Sequence, residues 1–332
     1  MMGMGFQISD GDARFSRDAP TNDVEQQLDD LREQYESSEL SAADYIAKLK
    51  AIVADSPDCL LGHSHLGDAL LQAGKIRPAL SAYEKGIALG EAAIPANYKG
   101  TLSWYELSNR PFLRALHGAA LAQLRLKKHK PAISLMERML SLNPDDNQGV
   151  RYLLGSEYLR HREPEKARFL LESWADDYPP CGYDLGLLLF RKNKYVAAAT
   201  RLRRAFTANF YVADILCGHP DPATLSIWHG SNRATPDLAR DYVQTYGKLW
   251  HDTGDALPFL HWLYHHPKVM AERAALLDCR EQLEWERGVA QREQILIREQ
   301  ELLAQIDDGI SEEIVTMRST RDGRPVYPWW RL

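Results

Sequence analysis

The stretch VRYLLGSEYLRHREPEKARFLLESWADDYPP, residues 150–180, predicts two amphipathic helices joined by a short turn. Apolar residues recur three or four positions apart in each half, the spacing of one helix face. A small residue stands on each predicted helix, so the two helices can approach closely. The positions that set this pattern are Leu154, Gly155, Tyr158, Ala167, Leu171 and Pro179.

The same pattern recurs every 31–35 residues between Pro111 and Val212, and a further copy lies upstream. The matching positions are Ala119, Ala120, Ala132, Met136 and Pro144; Leu185, Gly186, Leu189, Ala198 and Leu202; and, upstream, Leu66, Gly67, Leu70, Ala79 and Tyr83. We expect Pro144 and Pro179 to end second helices, since proline cannot continue a helix. One such pair cannot bury its apolar face alone, so neighbouring pairs must stack and share a core. The alternative is a helical bundle that is not a repeat.

The order of these residue types is that of the tetratricopeptide repeat. The predicted fold class is therefore all-α, a tetratricopeptide-like α-solenoid of about five to six helix pairs with a long C-terminal helix. Its predicted extent is residues 23–265, with an irregular insert at 94–111 and a loop at 213–236.

Two segments resemble a set of bacterial tetratricopeptide proteins similar to the suppression of tumorigenicity 7 family of animals. They are YKGTLSWYELSNRPFLRALHGAA, residues 98–120, and ISLMERMLSLNPDDNQGVRYLL, residues 133–154. The resemblance covers roughly residues 95–265 and implies a repeat scaffold without known catalysis. Two departures are that Phe210 stands where a proline is expected, and that the chain from 267 onward has no counterpart.

Composition limits the classes of partner and the cellular setting that we expect for this chain. The chain has 332 residues, a net charge of −6 and 45% hydrophobic residues, which argues against general affinity for nucleic acids. It has no apolar run long enough to span a bilayer, and its N-terminus lacks the apolar segment of a signal peptide. The four cysteines are scattered without a CxxC pair. We therefore expect a reduced, cytoplasmic setting and no membrane partner.

The N-terminal part has three predicted features. Residues 1–22 are rich in Gly, Asp and Ser, and we expect them to be disordered. Ser41 is the predicted N-cap of a helix that runs to Ala54. The insert at 94–111 carries aromatics, including Trp104, that either pack over the edge of the repeats or form a loop beside a ligand.

The C-terminal part is predicted to be a long helix, residues 266–310, followed by an extended aromatic tail, residues 311–332. Leu276, Leu283, Ala290 and Ile297 lie at heptad spacing. This indicates either a coiled-coil arm, with oligomerisation through residues 267–306, or one helix lying across the last repeat. Tyr327, Trp329 and Trp330 in the tail are candidate partner anchors, and the alternative is that the tail folds back on its own chain.

In tetratricopeptide stacks the first helices of successive pairs line a binding groove. Counting from the small residues places three arginines, one histidine and two tyrosines on this surface, with a further arginine nearby. The predicted groove residues are Arg114, His117, Arg125, Tyr152, Arg160, Tyr183 and Arg191. Guanidinium groups bind carboxylates bidentately, so the predicted ligand is an acidic or C-terminal peptide segment. The alternative is that these cations only favour the helix dipole.

No complete catalytic constellation is present, and we predict no enzyme activity, no metal and no cofactor. His261, His265 and His266 cluster near one helix, but no HExxH accompanies them. A basic run around Arg203 and Arg204 could touch RNA, although a solvated helix face explains it too. The predicted function is a non-catalytic scaffold that binds a protein or peptide partner through the groove and possibly the C-terminal arm. The alternative is a regulatory sensor whose groove binds a short peptide or a small anionic ligand.

Overall fold

The computed structural model describes residues 5–9, 12–16, 19–319 and 322–331 of the chain, and most of them are helical. Contacts divide the chain into two compact units, residues 1–154 and 155–332. The helix that spans Arg151–Arg160 contains the boundary between them. The all-α class predicted from the sequence is confirmed at this level.

Unit 1 combines a short hairpin with helices that follow one another at short intervals. Its elements are β1 (Gly5–Ser9), β2 (Asp12–Ser16), α1 (Ala19–Glu36), α2 (Ala42–Asp55), α3 (Leu60–Gln72), α4 (Ile76–Ala93), a 3-10 turn (Leu107–Asn109), α5 (Arg110–Arg125), α6 (His129–Leu142) and the start of α7 (Arg151–Arg160). Ser41 caps α2 as predicted, because its hydroxyl oxygen accepts the Asp44 N–H at 3.1 Å.

The small residues of unit 1 lie where helices touch. A Cβ added at Gly67 on α3 or at Gly118 on α5 would come within 2.5 Å of the Tyr83 ring of α4. Tyr83 is thus held between two first helices that both present bare backbone. Ala79 and Ala132 are fully buried, so the predicted close approach of neighbouring helices is confirmed at these positions.

The predicted disorder of residues 1–22 is wrong for the part of that segment that is described. β1 and β2 pair antiparallel, and α1 begins at Ala19. Phe15 is buried and packs edge-on against Phe6 and against Phe112 of α5. The aromatic pair stabilises a hairpin that composition alone would not predict. Residues 1–4, 10, 11, 17 and 18 of the predicted arm lie outside the described residues.

The hairpin also explains the insert at 94–111. Ala13 donates its N–H to the Thr101 carbonyl at 3.0 Å, and the Asn109 side chain bonds the backbone of Ala13 and Phe15. Tyr98 packs edge-on against Phe6 with ring centroids 5.2 Å apart. The aromatic insert therefore packs against the N-terminal hairpin within unit 1, where the sequence predicted the edge of the repeats.

Unit 2 continues the succession of helices. Its elements are the end of α7, α8 (Pro164–Trp174), α9 (Pro179–Arg191), α10 (Tyr195–Ala208), α11 (Phe210–Leu216), a 3-10 turn (Asn232–Ala234), α12 (Pro236–His251), α13 (Ala256–Tyr264), α14 (Pro267–Trp285), α15 (Val289–Ala304), α16 (Asp308–Ile314), β3 (Arg318–Ser319), β4 (Pro325–Val326) and a final 3-10 turn (Pro328–Arg331). Pro179 begins α9; α8 has already ended at Trp174, so the predicted role of this proline is wrong. Proline suits N1, the first position of a helix, because a backbone N–H at that position would have no partner within the helix.

The small residues of unit 2 behave as those of unit 1 do. A Cβ at Gly155 would lie 2.9 Å from Leu171 of α8, and one at Gly186 would lie 2.6 Å from Leu202 of α10. Ala167 and Ala198 are fully buried. Close approach through bare backbone is therefore common to both units.

The prediction of one long helix over residues 266–310 is wrong, because residues 286–288 are not helical and separate two helices. The Glu286 carboxylate accepts the N–H groups of Arg287 and Gly288, which replaces their helical partners. α14 and α15 then pack against each other within unit 2. Leu276 and Leu283 are buried, whereas Ala290 and Ile297 are exposed, so the heptad spacing does not describe one continuous seam.

The tail, predicted to be extended, folds back on unit 2. Trp329 is 1% exposed and packs against Tyr195, Phe259 and Trp262, with ring centroids between 4.8 and 5.3 Å away. Trp330 is 49% exposed. The burial of Trp329 follows the fold-back alternative stated above. Residues 320, 321 and 332 lie outside the described part of the tail.

Across the described ranges, no helix has both the length and the apolar character needed to cross a membrane.

Candidate functional site

Arg114 and Arg125 lie on the same face of α5, because eleven residues make about three helical turns. Arg125 is exposed, and its one hydrogen bond within the described residues goes to the Leu71 carbonyl at 3.2 Å. Arg114 is half-buried and makes no hydrogen bond in the described part of the chain. Both guanidinium groups therefore keep donors that a ligand could use.

Arg114 lies near two other arginines and one carboxyl. We name Arg32, Arg110, Arg114 and Asp68 the unit 1 arginine cluster. Burial lowers the pKa of Arg114, Asp68 opposes that shift, and Arg32 and Arg110 add to it. Asp68 accepts the Tyr83 hydroxyl proton at 2.5 Å, and burial raises its pKa. Arg32 also pairs with Glu36 at 3.4 Å, so the three arginines face the two carboxylates of Asp68 and Glu36, and one net positive charge remains.

His65 of α3 lies beside this cluster. Burial, together with the charges of Arg32 and Arg114, lowers its pKa to about 4. The imidazole is therefore neutral at physiological pH. Its buried Nδ1 has no hydrogen-bond partner among the described residues.

Trp104 supplies an aromatic surface to the cluster. The guanidinium carbons of Arg110 and Arg114 lie 5.2 and 5.7 Å from its ring centroid, within reach of a cation–π interaction. Arg110 also donates from Nε to the Trp104 carbonyl at 2.9 Å. The insert thus places an aromatic ring beside the cations.

His117 and Tyr152, the other predicted groove residues of unit 1, are both half-buried. Burial lowers the pKa of His117, and the charge of Asp146 acts against this. His117 lies one turn beyond Arg114 on the same face of α5.

The predicted arginines of unit 2 are in a different situation, because α12 lies against them. Arg191 donates to the Leu159 carbonyl at 3.0 Å, to the Leu249 carbonyl at 3.2 Å and to the Thr253 hydroxyl at 2.9 Å. All three nitrogens of its guanidinium are thus used within unit 2. Arg160 pairs with Glu157 at 3.1 Å and donates to the Thr245 carbonyl at 2.8 Å. Its guanidinium lies 4.9 Å from the centroid of the Tyr246 ring.

Under α12 lies a buried polar network centred on Asp184 of α9. Its carboxylate accepts the Ser156 and Tyr242 hydroxyl protons, the latter at 2.6 Å, and Trp250 Nε1 donates to the Tyr242 oxygen at 3.0 Å. Burial raises the pKa of Asp184 to about 6, against the two hydroxyls and the charges of Arg191 and Arg160. The network joins α7, α9 and α12 and is closed to solvent.

Tyr183, predicted to line the groove, is fully buried. Its hydroxyl donates to the Asn209 carbonyl at 3.0 Å and accepts the Ala213 N–H at 3.2 Å. Its predicted exposure is therefore wrong, because α11 covers the ring that repeat spacing would leave open.

The three candidate tail anchors also differ in how far they are exposed. Trp329 is enclosed by its own unit, Tyr327 is half-buried and stacks on Trp329 with centroids 4.6 Å apart, and Trp330 is exposed. Trp330 is the most exposed of these three, at 49%.

The histidine cluster and the cysteines give little chemistry. His261 and His265 stack with ring centroids 4.3 Å apart, whereas His266 packs edge-on against Trp262. All four cysteines are free thiols. Burial raises the pKa of each, to about 12 for Cys217, so the reactive thiolate is scarce at neutral pH.

Arg203, part of the basic run considered for RNA, is buried and pairs with Glu272 at 2.8 Å. It is neither a solvated residue nor one open to nucleic acid.

Repeat counting missed three residues of the unit 1 arginine cluster. Arg32 lies on α1, outside the helices used for the counting, and Arg110 precedes the counted positions of α5. Asp68 directly follows Gly67, and its position beside the small residue is the one signal that could have identified it.

The sequence matches no known protein-family model, and no curated protein is significantly similar to it.

Proposed function

We propose that this protein is a non-catalytic interaction scaffold, and that the unit 1 arginine cluster together with Arg125 binds an acidic segment of a protein partner. The observation that carries the proposal is that Arg114 and Arg125 share a face of α5 and keep unused donors. A carboxylate can take two parallel N–H donors from one guanidinium, which gives both energy and orientation.

Three further features support this function. The cluster carries more positive than negative charge, while the chain as a whole is acidic, so the attraction is local. Trp104 adds a flat surface of the type that is enriched in interfaces. The pairing of helices through Gly67, Gly118, Gly155 and Gly186 is what a tetratricopeptide-like repeat would use, and such repeats present their first helices to ligands. Four free thiols fit the proposed cytoplasmic setting.

The proposal is tested by co-purification and quantitative mass spectrometry with a double variant, Arg114→Gln with Arg125→Glu. The matched control is Lys85→Gln with Lys130→Glu, which makes the same charge change at exposed positions of α4 and α6. We expect the first variant to lose proteins with acidic segments at least tenfold relative to wild type, and the control to retain them. Equal recovery by the first variant, with an unchanged melting temperature, contradicts the proposal.

A further inference from the structure

Unit 2 contains an open cleft of about 660 Å³ that belongs to no predicted site. Its walls come from α10, from the irregular segment that holds Trp228 and His229, and from α14 and α15. The volume lies in the range of small-ligand pockets in proteins. The cleft is separate from the Asp184 network, which has no opening to solvent.

The charges that line the cleft nearly balance. Four arginines line it, and they face the three carboxylates of Asp176, Asp177 and Glu299. Arg201 pairs with Asp176 at 2.6 Å, and Arg280 pairs with Glu299. One net positive charge remains, which suits a monoanion better than a doubly charged phosphate.

Arg204 provides the free donors for such an anion. Its Nε donates to the Ile306 carbonyl at 3.0 Å, which fixes the plane of the guanidinium. Its two terminal nitrogens make no hydrogen bond to any described residue, and the side chain is exposed. An oriented guanidinium with two open N–H groups is the geometry that a carboxylate accepts in bidentate form.

His229 provides a second donor. The Tyr211 hydroxyl oxygen accepts the Leu225 N–H at 3.0 Å and lies 2.7 Å from His229 Nε2. Among the described residues His229 Nε2 is the one acceptor for the Tyr211 hydroxyl proton, so we assign that proton to this bond and the imidazole N–H to Nδ1. Nδ1–H is then available to an anion in the cleft.

The remaining wall of the cleft is apolar. Leu296 and Leu303 of α15 line it beside the Trp228 ring. The guanidinium carbons of Arg280 and Arg292 each lie 5.5 Å from the centroid of that ring, which holds it in place. A ligand that fits has an apolar group next to its anion.

We propose that this cleft binds the carboxylate of a short peptide, with Arg204 and His229 on the carboxylate and an apolar side chain against Trp228 and Leu303. It is a second site, independent of the unit 1 arginine cluster, so either site can fail its test without affecting the other.

The test uses the full chain and the probe acetyl-alanyl-leucyl-phenylalanine, as the free acid and as the C-terminal amide, measured by titration calorimetry. We expect the free acid to bind with a Kd of about 1 mM or tighter and at least tenfold more tightly than the amide. Arg204→Gln should weaken binding of the free acid about tenfold and remove its preference over the amide. Lys194→Gln removes one charge from the start of α10, outside the cleft, and should change neither.

Three results overturn the proposal. They are equal binding of the acid and the amide, no binding of the acid at about 1 mM, and an unchanged preference in the Arg204→Gln variant. Tighter binding of inorganic phosphate than of the free acid, lost in the same variant, would show that the site selects phosphate, and the carboxylate assignment would be wrong. Because Arg204 is exposed, its substitution should leave the melting temperature unchanged, and this is checked on each sample.

Discussion

Arg125 and Arg191 occupy matching positions at the ends of α5 and α9, each five residues after a small residue, yet their surroundings differ. Each donates to the carbonyl of the residue four positions after the small residue in an earlier first helix, Leu71 for Arg125 and Leu159 for Arg191. Arg125 makes no other hydrogen bond in the described chain and is exposed. Arg191 makes two more bonds, to Leu249 and Thr253, on and just after α12.

The shared contact shows that an arginine at this position first serves the repeat itself, by capping the carbonyl end of an earlier helix. Whether donors remain for a ligand depends on what else covers the face. In unit 2 a later helix of the same chain covers it, and in unit 1 Arg114 and Arg125 keep donors free. The two units therefore share this arginine position and differ in what covers it, and the predictions below test that difference.

The largest expected effect comes from the tail that unit 2 buries. Trp329→Ala should lower the free energy of unfolding by about 3–5 kcal/mol, because it removes a buried ring from an aromatic cluster. Trp330→Ala should cost only about 1 kcal/mol, since Trp330 is 49% exposed and its ring contacts Tyr327 alone among the described aromatic rings. Urea denaturation of the full chain measures both. Similar small losses for the two variants would mean that the tail does not dock on unit 2.

Removing a carboxylate should lower the free energy of unfolding more at Asp184, which α12 covers, than at Asp68 in unit 1. Asp184→Ala leaves the Ser156 and Tyr242 hydroxyls buried without their acceptor, and we expect a loss of about 3 kcal/mol. Asp68→Ala removes one bond to Tyr83 at a half-buried position, and we expect about 1 kcal/mol. Hydrogen exchange assigns each loss to its unit, and a larger loss from Asp68→Ala would reverse the comparison.

A smaller difference in the free energy of unfolding is expected between alanine variants of Arg191 and Arg125. Arg191→Ala should cost about 2 kcal/mol, since it removes three bonds to a charged donor. Arg125→Ala should cost about 0.5 kcal/mol, since it removes one bond at an exposed position. Thermal and urea unfolding of the two variants side by side measure this. Equal losses would show that α12 does not hold Arg191 as described.

The last prediction concerns pH. The pKa of Asp184 is about 6 in the folded chain and near its ordinary 3.8 when unfolded, so the folded state binds the proton more tightly. Its contribution to stability is therefore complete below about pH 4 and is lost as pH rises through 6. The stability of wild type, measured relative to Asp184→Asn, should fall between pH 4 and pH 6. A relative stability that rises over this range would contradict the assigned burial.

The sequence predicted what depends on neighbouring residues and missed what depends on distant ones. Ser41 as a cap, and the burial of Ala79, Ala132, Ala167 and Ala198, follow from local spacing and were confirmed. The cover over Arg191 was not predictable, because Leu249 lies 58 positions further along the chain.

The helix break at Glu286 was missed for a different reason. The heptad spacing was given more weight than Gly288, although the Glu286 carboxylate accepts the N–H groups of Arg287 and Gly288 and ends the helix there. The N-terminal hairpin was missed because its stability comes from Phe15 packing on Phe112, which is 97 positions away by the numbering of the chain. The candidate site was predicted in part, since α5 provided Arg114 and Arg125, whereas Arg32 joins them only through the packing of α1.

Side-chain NMR of the full chain with 15N-labelled arginine, titrated with an acetylated hexaglutamate peptide, tests the contrast between the two units directly. We predict that the Nε–H resonances of Arg114 and Arg125 shift and saturate, while those of Arg160 and Arg191 stay in place because their donors are already used. Shifts at Arg160 and Arg191 with none at Arg114 and Arg125 would contradict the account.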